Sequence, residues 1–164
     1  MGRIQGFPAV FLVFQSGLFA QALHLSSASS SVAPGDRLTI EVSLNSPDGA
    51  EVSALQWDIT APSAQLRFLP QETTTGSAVH AAGKSVNCAL KASGAASDST
   101  SLCMLYGGRD PIPNGVVARL VFEAGSDAAP GPVRIRASQG LAVSKELKRT
   151  PLKDAEISVK VQAK

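Results

Sequence analysis

Two histidines, two cysteines and thirteen carboxylates are the residues of this 164-residue chain that could do chemistry. Their spacing argues against most of it. His24 stands apart from any nucleophile motif, and His80 falls in the Gly/Ser/Thr/Ala-rich stretch 73–83, which reads as a loop. The chain has no Gly-x-Ser-x-Gly elbow and no His-Glu-x-x-His, phosphate-binding loop or Gly-x-Gly-x-x-Gly. A triad can be assembled from distant residues, but two histidines are a thin supply for acid–base work, and the chain reads as non-catalytic. Asp36, Asp48, Asp98, Asp110 and Asp127 each adjoin Gly, Pro or Ser. That is the habit of turn-capping residues, and no Asp-x-Asp-x-Asp-Gly calcium loop is present. No cofactor or metal site is expected.

Cys88 and Cys103 are the remaining candidates. A two-cysteine metal site would need His or carboxylate partners at ligand spacing, and His24 and His80 offer none. In an exported chain such a pair is normally a disulfide. A hairpin centred on the polar stretch 92–100 sets Cys88 opposite Cys103, Val86 opposite Leu105 and Leu90 opposite Ser101. Both cysteines would then point to the same face as Val86, Leu90 and Leu105. Cys-x-x-Cys spacing is absent, so the expected role is structural.

Export is read from the first residues. Arg3 is the only charge before Asp36, Phe7-Pro-Ala-Val-Phe-Leu-Val-Phe14 is an apolar run, and Ala20-Gln-Ala22 offers small residues at the spacing signal peptidase recognises. Gln15, Ser16 and Gly17 interrupt the run, which is short for a membrane span of about 20 residues. The expectation is a signal peptide over 1–22, cleaved after Ala22, with one domain over 23–164. No later stretch approaches span length, so the mature protein would be secreted, periplasmic or at the cell surface. The formal net charge of the full chain is +2, which supplies no broad field for nucleic acid.

The elements that must position these residues are strands. Leu38, Ile40, Val42 and Leu44 alternate with polar residues, as do Leu55, Trp57 and Ile59. The same period runs through Val116, Ala118, Leu120 and Phe122, through Val133, Ile135 and Ala137, and through Ile157, Val159 and Val161. With Leu66-Arg-Phe-Leu69 and the stretches 23–29, 84–91 and 101–107, about nine strands emerge. Turns such as Pro34-Gly-Asp36, Asn45-Ser-Pro-Asp-Gly49 and Ala129-Pro-Gly-Pro132 separate them. The fold class is all-β, an antiparallel sandwich. Residues 142–148 are the one place for a short helix.

The ordered motifs resemble a cohesin domain, the dockerin-binding module of bacterial cellulosomes. Five segments carry the resemblance: Val32-Ala-Pro-Gly-Asp-Arg-Leu-Thr-Ile-Glu-Val42; Ala54-Leu-Gln-Trp-Asp-Ile-Thr-Ala-Pro-Ser-Ala-Gln-Leu-Arg-Phe68; Cys103-Met-Leu-Tyr-Gly-Gly108; Gly115-Val-Val-Ala-Arg-Leu-Val-Phe122; and Ala129-Pro-Gly-Pro-Val-Arg-Ile135. The resemblance implies a nine-stranded jelly roll related to some carbohydrate-binding modules. It also implies a partner-binding face on the third, fifth, sixth and eighth strands. Laid on that face, strand alternation turns Gln56, Asp58 and Thr60 outward, with Leu102, Met104 and Tyr106, and with Arg134 and Arg136. Gln56 and Asp58 match the polar pair that cohesins present to a dockerin helix. A register slip of one, or cover from 139–153, would instead hide Met104 and Tyr106. The implied partner is a protein, dockerin-like or an envelope component. A carbohydrate-binding module serving polysaccharide breakdown, or a structural unit of the envelope, are the alternatives.

Overall fold

The computed structural model describes residues 21–47, 50–91 and 97–164. Residues 1–20 of the expected signal peptide 1–22, Asp48 and Gly49 of the 45–49 turn, and 92–96 of the 92–100 loop lie outside the described residues.

Alternation closes the chain into two facing sheets. One sheet has the order β1 (Ala22–Ser26), β3 (Arg37–Asn45), β9 (Gly115–Ala124) and β5 (Leu66–Phe68), with β6 (Thr74–Thr75) also on β9. The other runs β2 (Ser31–Val32), β12 (Ala155–Val161), β10 (Gly131–Val143), β4 (Ala54–Pro62), β8 (Asp98–Gly107) and β7 (Lys84–Leu90). β11 (Arg149–Pro151) pairs with the end of β10. The expected strands are all present, and β2, β6 and β11 are short additions of two or three residues. The inner faces meet in one core built on Trp57, Ile59, Ile40, Leu120, Phe122 and Ile135, all essentially inaccessible. Phe68 and Phe122 stack at 5.2 Å between centroids, a pair worth about 1 kcal/mol beyond its buried area.

The hairpin pairs as expected: Val86 with Leu105, Cys88 with Cys103, Leu90 with Ser101. Cys88 and Cys103 form a disulfide, and both are buried. Leu90 differs from them. It has the right parity for the core but is 62% exposed, because it is the last residue of the sheet's edge strand.

Three further expectations are corrected. Residues 142–148 form no helix: Ala142 and Val143 continue β10, and 144–148 turn tightly into β11 through Ser144 N–H to Lys148 O and Leu147 N–H to Ser144 O. The stretch 73–83 is not all loop, because Ser77–Ala81 is a helix, α1, that buries Ala78 and Val79 against the core. His80 lies on its exposed side. Val116 does not share the inward parity of Ala118. The register of β3 and β9 shifts between Val42 and Ser43, so Ser43 pairs with Val116, and it is Val117 that is fully buried. A single inserted residue in one strand reverses the side-chain parity beyond it.

Gly76 seats α1 on this irregularity. Its N–H bonds Val117 O at 3.0 Å, and a Cβ there would lie 2.1 Å from Val116 O. Backbone cannot yield as a flexible side chain does, so Gly76→Ala should cost about 1–3 kcal/mol. Urea denaturation checks this; an unchanged midpoint would show that α1 is free to shift.

Candidate functional site

Every residue expected on the partner face lies on the outer side of the larger sheet, in rows set by strand register. One row runs Asn87, Met104, Gln56, Leu141, Pro151. The next runs Ala89, Leu102, Asp58, Ser138. The third holds Thr100, Thr60, Arg136 and Glu156, with Thr60 and Thr100 hydroxyls 3.0 Å apart. Arg134 lies opposite Ser158. Tyr106 pairs with Ser85 beyond the first row.

The register places the aromatic and apolar residues as strand alternation required. Trp57 is 0% exposed and belongs to the core, while Met104 is 40% and Tyr106 56% exposed. Residues 139–153 therefore leave them open. Leu102 is half-buried beside them.

The charged members are less free than alternation implies. Asp58 is on the outer face yet buried, its side chain 10% exposed, with Oδ2 at 2.5 Å from Lys91 Nζ. Arg134 reaches Glu156 at 3.8 Å, and Arg136 pairs with Asp154.

Simple alternation missed part of the face. The register of β10 on β4 jumps between Ser138 and Leu141, with Gln139 at φ 52°. Counting in twos from Ile135 would bury Leu141 and Val143. The bulge instead buries Ala142 and leaves Leu141 and Val143 half-buried on the outer side. Gly140 was the available signal, since a glycine inside a strand pattern often marks a bulge. Leu152 packs on Gly140, where a Cβ would come within 2.8 Å of the Leu152 Cβ. The result is a groove of about 590 Å³ floored by Gln56, Asp58, Leu102 and Leu141 and walled by Lys91 and Pro151.

The outer side of the smaller sheet carries ion pairs as well. Arg119 bonds Glu41 at 2.8 Å, Arg37 bonds Glu72 at 2.7 Å, and Arg67 pairs with Glu123. The Arg67 guanidinium holds the Glu123 carboxyl below its ordinary value of 4.5. His24, opposite Ser43, lies on the same outer side. Among the described residues no group of three His, Cys, Asp or Glu side chains could hold a metal.

Both outer faces thus carry ion pairs, and that of the larger sheet also holds a groove with exposed apolar residues beside it. The cohesin domain family model matches residues 23–162, and the chain belongs to that family. Solved structures agree on the fold. The sixth cohesin of scaffoldin B from Acetivibrio cellulolyticus, solved with a dockerin, is 19% identical, with a TM-score of 0.64 over 87% of this chain and 99% of that one. The cohesin module of a family 33 glycoside hydrolase from Clostridium perfringens is 9% identical, TM-score 0.68, over 88% and 98%. A non-cellulosomal cohesin from Archaeoglobus fulgidus is 10% identical, TM-score 0.63, over 88% and 92%. No curated protein matched the chain.

Proposed function

We propose that this cohesin domain is an exported docking module that binds a dockerin-like protein on the outer face of its larger sheet. The observation that carries the reading is the contrast between the two outer faces. Both carry ion pairs, but it is the larger sheet's face that holds the exposed Met104 and Tyr106, with half-buried Leu102, Leu141 and Val143, beside Gln56 and Thr60. An apolar centre with a polar surround is the anatomy of a protein interface. Two cohesins of similar fold have been solved with dockerins bound, which supports a partner of that kind.

Export rests on the Arg3-to-Ala22 pattern and on the Cys88–Cys103 disulfide, which suits an oxidising compartment. We infer cleavage after Ala22 and a mature domain over 23–164. Among the described residues no helix is long and apolar enough to cross a membrane.

A sugar platform would need exposed flat rings, and of the four aromatics in the described residues only Tyr106 is exposed. The protein partner is therefore preferred. The test is recovery from the source cell envelope by wild type and by an Asp58→Ala, Met104→Ala double variant. The expected result is a partner retained by wild type and lost by the variant. Equal recovery would remove this face from the proposal, and hits on a glycan array would restore the sugar reading.

A further inference from the structure

Asp58 is the carboxylate at the centre of the groove floor, between Leu102 on β8 and Ser138 on β10. It is already engaged. Lys91 extends the edge strand by one residue, its N–H bonding Thr100 O at 2.9 Å, and its ammonium reaches back to Asp58. The neighbouring cations Arg134 and Arg136 are paired with Glu156 and Asp154. The centre of the face thus holds its charges in internal pairs and leaves its apolar residues open.

We propose that Lys91 is a specificity-determining residue of the docking face: by holding Asp58 from within the chain, it selects a partner whose surface over the groove is uncharged and apolar, and rejects one carrying Lys or Arg there. This rests on the docking reading above. A partner that seals the groove strips water from Asp58, and a sealed carboxylate without a cation is strongly disfavoured. Lys91 meets that need before the partner arrives. A second cation would meet the Lys91 ammonium across the same carboxylate and be repelled. Without Lys91 the logic inverts, and Asp58 demands a cation from the partner.

A displayed library of helical peptides, randomised on one face, is panned against wild type and against Lys91→Ala. Wild type should yield clones with uncharged contact residues. Lys91→Ala should yield clones with Lys or Arg at a contact position, binding that variant about tenfold more tightly than wild type and losing the preference when Asp58→Asn is added. Equal cation frequency in the two pools would overturn the role of Lys91. Clones whose binding survives Met104→Glu would instead overturn the docking face, so the two failures are distinguishable. A measurement without any partner guards against a library that yields no binders. The Lys91 ammonium nitrogen should shift in the NMR spectrum when Asp58→Asn removes its partner, and an unchanged resonance would overturn the proposal.

Discussion

Replacing Cys88 and Cys103 together with alanine should cost about 3 kcal/mol, the chain-entropy value for a loop of this length. The two residues are 15 apart in sequence and joined across directly paired strands. For a domain whose total stability is about 5–15 kcal/mol, that is a large share. The urea midpoint should fall by about 1–3 M, given the usual slope for a small domain. Reductant should produce the same fall in wild type and none in the variant. A free-thiol assay on denatured, unreduced protein should detect no thiol, and an unchanged midpoint on reduction would show that the bond is energetically idle. The disulfide clamps an edge strand, since β7 has β8 as its only partner in the sheet. Lys91 follows directly on β7, so loosening that edge should also disturb the Asp58–Lys91 pair.

Met104→Glu should weaken partner binding by about 100-fold or more, the loss typical of a hot-spot residue. Met104 stands between Asn87 and Gln56 on the outer face, one strand in from the sheet's edge. A glutamate there would have to be desolvated under the partner without a cation supplied by the groove, because Lys91, which lines it, is committed to Asp58. Stability should change by no more than about 0.5 kcal/mol, since the side chain is open to solvent and pairs with no charge. Calorimetry of binding and urea denaturation measure the two effects separately. Thr39→Glu, on the outer side of the other sheet opposite Val121, is the control and should leave binding intact. Binding by Met104→Glu within about twofold of wild type would move the docking surface elsewhere.

Much of this was legible before any coordinates. Nine strands, the all-β class, the Cys88–Cys103 pairing and the burial of Trp57 follow from residues two apart sharing one face. The outward direction of Gln56, Thr60, Met104 and Tyr106 follows from the same rule, and the ordered motifs pointed to the family that the match over 23–162 establishes. Two of the failures share a cause. Alternation holds only while a strand is regular, and the extra residues in β9 and β10 reverse it, burying Val117 and turning Leu141 and Val143 outward. The 73–83 stretch misled in another way: α1 is five residues long and lacks a side-chain cap, so little local pattern announces it.

Residue order alone therefore specifies the periodic part: the sandwich, its disulfide and the side of the sheet on which each regular residue stands. The character of the face emerges only on assembly. Asp58 points outward as its parity requires, yet it is covered and neutralised by Lys91, 33 residues away in the chain. Parity is a property of neighbouring backbone and can be counted along a strand. Bulges and cross-strand ion pairs depend on which distant segment lies alongside, and that is settled only when the sheets assemble.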